Sequence, residues 1–204
     1  MLRLVFTWII LLFLTTCNQE EELKIPGIYT GTVSALKNGE RWSALARADC
    51  WSASTSSKVP DSLYFFLDAD VYNNGKGPVP SSTADPLPGY AFLTESFVIR
   101  KFRLTSEKQY ITSIDNQNQL ALVSSYYLTV VGGDVLGDKY DLDTTATSNF
   151  IQIINYDSSK AEIEGIFNVT LSLSKDANDG KVPPEKFEFT EGRFTVKVEK
   201  DCFE

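Results

Sequence analysis

The feature that most constrains this chain is a strict two-residue alternation of apolar and polar side chains. From Glu162 to Leu173, the residues Ile163, Gly165, Phe167, Val169, Leu171 and Leu173 fall on one side of an extended backbone, with Glu162, Glu164, Asn168, Thr170 and Ser172 on the other. Successive side chains of a strand point to opposite faces, so this pattern buries one face and wets the other, which a helix at 3.6 residues per turn cannot do. Leu63 to Tyr72 repeats it, with Leu63, Phe65, Leu67, Ala69 and Val71 opposite Tyr64, Phe66, Asp68, Asp70 and Tyr72. Near the C-terminus Phe187 and Phe189 alternate with charges, and Phe194, Val196 and Val198 do so with the other parity. The parity changes across Thr190-Glu191-Gly192, which predicts a bulge or tight turn centred on Gly192.

Further strands are predicted over Ile28 to Leu36, Arg41 to Ala48, Phe92 to Leu104, Leu120 to Val131 and Phe150 to Tyr156. Asn38-Gly39 suits a type I′ hairpin, and Asp157-Ser158-Ser159-Lys160 joins two alternating runs. Asn73 to Gly89, rich in Gly, Pro and Ser, reads as an exposed loop inside one domain, because strands of the same character flank it. No segment carries a helical stripe with caps, and no internal repeat is present. The expected fold is all-β, a single antiparallel β-sandwich spanning 26–204, with a closed or partly open β-barrel as the alternative. A chain of 204 residues with 43% hydrophobic content has the material for one such core.

The N-terminus has a different character. After Met1-Leu2-Arg3, Leu4 to Leu14 (LVFTWIILLFL) is an apolar run interrupted only by Thr7. As a helix it reaches roughly 16 Å, about half a hydrocarbon core, so it reads as the apolar region of a secretory signal peptide and not as a spanning helix. Leu14-Thr15-Thr16-Cys17 resembles the lipobox of bacterial lipoproteins, departing from it at Thr16, where a smaller residue is usual. The resemblance implies cleavage after residue 16, lipidation of Cys17 and stable anchoring by two or more acyl chains. Residues 17–25 then form an acidic tether, and Asn18-Gln19-Glu20-Glu21-Glu22 is similar to the export signal of Bacteroidota lipoproteins carried to the outer face of the outer membrane. The location this resemblance implies is the outer membrane, facing outward, with a periplasm-facing anchor as the alternative.

Three cysteines fit that address. With Cys17 as the lipid site, Cys50 and Cys202 remain as a pair in an oxidising compartment, where a disulfide would persist. Two buried thiols are the alternative. The hairpin Asn38-Gly39-Glu40-Arg41-Trp42-Ser43-Ala44 and the C-terminal segments Gly165-Ile166-Phe167 and Thr190-Glu191-Gly192-Arg193-Phe194 together resemble small uncharacterised Bacteroidota lipoproteins, which carry an NGExWxA hairpin and a terminal TEGxF strand. That likeness covers roughly residues 26 to 200 and implies an address and a β-domain, but no activity or catalytic residue.

Composition narrows the chemistry. A net charge of −8 leaves no basic face for nucleic acid. The absence of histidine removes the usual general base and the Ser-His and Cys-His nucleophile pairs. Carboxylate pairs remain: Asp68 with Asp70, or Glu162 with Glu164, each two residues apart on one strand face and spaced for glycoside-type acid/base work. A solvated sheet face accounts for both pairs equally well. Calcium candidates are Asp68 and Asp70 with Asn73 and Asn74, and the oxygen-rich loop Asp176-Ala177-Asn178-Asp179-Gly180, although that loop lacks the closing Glu of an EF-hand and turn chemistry alone explains both. Trp42 and Trp51 are candidates for a sugar-stacking surface, with core packing as the plain alternative for Trp42. Asp61-Ser62-Leu63 and Asp143-Thr144-Thr145 match a short bacterial O-glycosylation pattern, and Asn168-Val169-Thr170 matches the eukaryotic N-glycosylation acceptor. The expectation is a lipid-anchored, non-enzymatic binding or structural module without a cofactor, whose partners are the membrane and an envelope protein or glycan. A surface carboxylate-based hydrolase is the alternative.

Overall fold

The computed structural model describes residues 29–52, 63–73, 92–112, 122–131, 135–177 and 180–198. Ten strands follow one another: β1 (Gly31–Lys37), β2 (Glu40–Ser52), β3 (Leu63–Asn73), β4 (Phe92–Phe102), β5 (Gln109–Tyr110), β6 (Ser124–Val131), β7 (Val135–Leu142), β8 (Phe150–Asp157), β9 (Glu162–Lys175) and β10 (Lys186–Lys197). All strand pairings are antiparallel, and the order β10-β1-β2-β3-β4-β6-β7-β9 closes on itself through β9 and β10. The fold is thus all-β, and of the two arrangements open to the sequence it is the closed barrel, of 8 strands, and not the sandwich. Closure leaves each barrel strand with two neighbours, which removes the exposed edges a sandwich has to protect.

Local sequence explains each device in the wall. Asn38 and Gly39 both take positive φ, 53° and 83°, as a type I′ turn requires, and they join β1 to β2 in register from Lys37↔Glu40 to Gly31↔Ala46. β7 and β8 behave as one strand with an insertion: β7 lies along the upper part of β9, β8 along its lower part, and residues 143–149 loop out between them. Asn149, buried, pins that insertion. Its Nδ2 donates to the Asp143 carbonyl at 2.9 Å and its Oδ1 accepts the Thr170 N–H at 2.8 Å. The two-residue β5 pairs with the start of β8.

The expected bulge in β10 is present between Phe189 and Gly192, but its positive φ, 52°, belongs to Glu191. Asn168 Oδ1 accepts the Glu191 N–H at 3.1 Å and holds that turn. Gly192 serves a different need. Gly165 pairs with Phe194 and Gly192 with Phe167, so the two G-x-F segments cross in antiparallel register with each ring opposite the other strand's glycine. A Cβ on Gly165 would stand 2.3 Å from the Phe194 ring, and one on Gly192 would stand 2.6 Å from the Phe167 ring.

The barrel interior is filled by side chains. Phe65, Phe102 and Phe194 occupy the lower part, and Phe97, Phe167, Phe189 and Trp42 the middle, with Phe97 stacked on Phe167 at 5.3 Å and tilted against Phe189 at 4.7 Å. Tyr127, Tyr140 and Phe187 cap them above. β2 offers Ala44, Ala46 and Ala48, and β3 Ala69, on the inward face, so rings from across the barrel have room. Such alternation of small and large side chains is how a narrow barrel fills its taper.

Candidate functional site at the upper mouth

The end of the barrel that carries the Asn38–Gly39 hairpin holds an ion pair on inward-facing strand positions. Lys37 shares the inward parity of Val33 and Ala35, and Glu95 that of Phe97 and Ile99. The Lys37 ammonium lies 2.9 Å from both oxygens of Glu95, and the two side chains are only 19% and 25% exposed. Trp42 Nε1 donates to Glu95 Oε2 at 2.7 Å, and Lys37 also donates to Tyr127 Oη at 3.1 Å. The ammonium sits 5.1 Å from the Tyr127 ring centroid and 5.0 Å from that of Phe187, a cation facing two aromatic rings. Burial, with Glu95 beside it, raises the Tyr127 pKa well above the ordinary phenol range. A partly desolvated pair of this kind holds because each charge has both an opposite charge and further polar or ring contacts.

At this end several apolar side chains stand in solvent beside charged ones such as Glu40, Lys181 and Glu185. Val131, Val135 and Leu136 on the β6–β7 hairpin and Val182 in the β9–β10 connection are all exposed. Lys37, Glu95 and Trp42 thus form a polar centre set among aromatic rings at this mouth.

The sequence-predicted candidates fall elsewhere. Asp68 and Asp70 lie on the outer face of β3 and are already engaged. Tyr29 Oη donates to Asp70 Oδ2 at 2.6 Å and meets Tyr72 Oη at 2.5 Å, while Arg47 Nε donates to Asp68 Oδ2 at 3.1 Å. Burial raises the Asp68 pKa, and the Arg47 charge opposes that shift. Burial and the bond to Asp70 raise that of Tyr29. This network fastens the segment that leads into β1 against the outside of the wall. Glu162 and Glu164 lie on the outward face of β9 opposite Lys197 and Thr195 of β10. Trp42 is buried inside the barrel, edge-on to Phe189 at 5.1 Å, so it is not an exposed stacking platform.

Trp51 belongs to β2, but its side chain is outside the described residues, as are Cys17, Asn74, Asn178, Asp179, Cys202 and the Asp61-Ser62 pair. Of the calcium candidates, Asp176 follows the last residue of β9, and Asp70 is tied up with Tyr29. Among the described residues no group of three or more acidic or cysteine side chains is placed to hold a metal. Asp143 is the first residue of a tight turn: its Oδ1 accepts the Thr145 N–H at 3.0 Å, and Lys186 donates to its Oδ2 at 2.5 Å. These bonds hold its pKa well below the usual carboxylate range and leave Thr144 exposed. Asn168 spends its side-chain oxygen on the β10 bulge. Among the described residues no helix is long and apolar enough to cross a membrane, and the apolar run of residues 4–14 is outside them.

The Lys37–Glu95 pair was missed by sequence reading, though a signal existed. Both charges share the parity of an apolar face, where a charged residue needs a partner. No family model matches the chain, and no curated protein or solved structure matches it significantly.

Proposed function

We propose that this chain is a lipid-anchored lipoprotein of the outer envelope, displayed at the cell surface, whose barrel acts as a non-enzymatic binding or structural module. The observation that carries the reading is the polarity of the barrel. The first and last described segments meet at one end: Thr30 Oγ1 donates to the Lys197 carbonyl at 2.6 Å, and Val198 bridges Ala48 in parallel below the start of β1. The described chain enters β1 and leaves β10 at the end away from the upper mouth, and in this reading the tether from Cys17 joins the barrel there. The inward ion pair and the exposed apolar side chains of the upper mouth are left pointing away from the anchor, towards an envelope protein or a glycan.

The Cys50–Cys202 staple belongs to the same reading. Cys50 packs against the core, and Val198, four residues before Cys202 in the sequence, lies beside the β2 strand that carries Cys50. A bond closing so long a loop would stabilise by up to ~5 kcal/mol in the chain-entropy model. The alternative, a carboxylate hydrolase, draws less support. Its Asp68–Asp70 candidates are bonded to Arg47 and Tyr29 on the outside of the barrel wall.

Metabolic labelling with a palmitate analogue tests the anchor. Label on the wild-type protein and none on Cys17→Ala is the expected result, and equal label on both removes the lipoprotein reading.

A further inference from the structure

Where β7 parts from β9 at the upper rim, a buried hydroxyl has nothing to bond. Tyr140 is fully buried, its ring held 4.6 Å from Phe187 and 5.7 Å from Tyr127, yet its Oη has no hydrogen-bond partner. Buried polar atoms in native proteins almost always have a partner, so an unpartnered hydroxyl of this kind is a candidate ligand for a bound group. Its surroundings are acidic. Asp138 precedes Tyr140 by two residues on β7, and its Oδ1 accepts the Ala177 N–H at 2.8 Å, which brings Asp176 at the exit of β9 alongside. Lys139 pairs with Lys175 between β7 and β9, which sets Asp138 and Asp176, one residue further along each, across from one another. Asp138 is held in place from the other side too, because its own N–H donates to Thr129 Oγ1 at 2.7 Å.

We propose that this rim binds a hard divalent cation of the calcium type between Asp138 and Asp176, with the Tyr140 hydroxyl as the third protein oxygen. Oxygen donors with two negative charges suit such a cation, whose geometry is flexible enough to accept a neutral phenol. Among the described residues no third acidic or cysteine side chain joins the pair, so water completes the shell. Few charged ligands and several waters place the affinity with the weak sites of extracellular modules, at Kd of about 10⁻⁴–10⁻³ M. The inference stands apart from the anchoring of the chain, since its groups belong to the barrel alone.

The test is thermal unfolding of the purified protein in EDTA, in magnesium and in calcium up to about 10 mM. At ten times Kd the folded state gains about tenfold, a rise in Tm of about 3–6 °C for a chain of this size. Asp176→Asn and Asp138→Asn should abolish the rise. The asparagine oxygen still accepts the Ala177 N–H, so the fold should survive. Tyr140→Phe should melt higher than wild type in EDTA, because it deletes the orphan, and respond less to calcium. Terbium emission excited through the aromatic side chains should appear in wild type, be displaced by calcium and be lost in Asp176→Asn. No rise with calcium in wild type, or the same rise in the asparagine variants, overturns the site and leaves the hydroxyl to an ordered water. If Asp138→Asn fails to fold, the Asp176→Asn titration alone decides between these results.

Discussion

Replacing Gly165 by alanine probes the seam that closes the barrel. The added Cβ would lie 2.3 and 2.4 Å from two carbons of the Phe194 ring and 2.9 Å from the Gln152 carbonyl oxygen, all inside van der Waals contact. Phe194 cannot swing away freely, because it is buried against Phe102 at a ring separation of 6.3 Å. Overpacking a fixed core costs about 1–3 kcal/mol, and the backbone contact puts this site in the upper half of that range. For a barrel of this length the loss is a fall in Tm of about 4–10 °C, with the denaturant m-value unchanged. Urea unfolding followed by tryptophan fluorescence reads the free-energy loss and the m-value, and thermal unfolding reads the Tm. The double variant Gly165→Ala with Phe194→Leu supplies the control, since a smaller side chain opposite residue 165 relieves the clash. The two changes together should then cost less than the sum of the singles. An unchanged midpoint for Gly165→Ala, or strict additivity with Phe194→Leu, would refute the account of the crossed G-x-F pairs.

Four further outcomes are expected. Glu95→Ala leaves the Lys37 ammonium among aromatic rings without its carboxylate and should cost about 1–3 kcal/mol in thermal unfolding, below the full cost of a deeply buried pair because both groups keep some solvent; Glu95→Gln, which keeps the acceptor for Trp42, should cost less. Asn149→Ala strands the Thr170 N–H and the Asp143 carbonyl and should lower stability by about 2–4 kcal/mol in urea, with little effect if the 143–149 insertion is only loosely attached. Asp143 has a folded pKa below its unfolded one, so its contribution is complete above the unfolded carboxylate pKa of about 4 and fades as pH falls below it. Asp143→Asn should therefore flatten the acid side of the stability curve, and an unchanged slope between pH 5 and pH 2 would contradict that assignment. Alkylation of the unreduced protein should find no reactive thiol at Cys50, whereas labelling at both Cys50 and Cys202 removes the staple.

Much of the wall was legible because alternation is local. The inward set Ile163, Gly165, Phe167, Val169 and Leu171 is buried as read, with Leu173 only partly so, and the hairpin at Asn38–Gly39 and the parity change near Glu191 stand where the sequence placed them. Closure was not legible, because it depends on β10 meeting β1 across almost the whole length of the domain, and a sandwich strand shows the same period. β7 escaped notice since Gly137, Asp138, Lys139 and Asp141 break its pattern and register shifts at both neighbours displace its inward residues. The role of Gly192 was misread for a related reason: close approach of a facing ring and a left-handed turn both call for glycine, and only the pairing with Phe167 separates them. The candidate site was hidden because Lys37 and Glu95 meet only once the barrel brings β1 beside β4 across its interior, 58 residues apart in the chain. Asp138 and Asp176 come together in the same way, through the pairing of β7 with β9.

The most direct test of the central claim labels the upper rim on living cells. Leu136→Cys places a thiol on an exposed position of the β6–β7 hairpin. A membrane-impermeant maleimide applied to intact cells should label this variant and leave the wild-type protein unlabelled, and adding Cys17→Ala should release the labelled barrel from the membrane fraction. Labelling that appears only after the outer membrane is permeabilised, or membrane association that survives the loss of Cys17, would contradict a lipid-anchored barrel displayed at the cell surface.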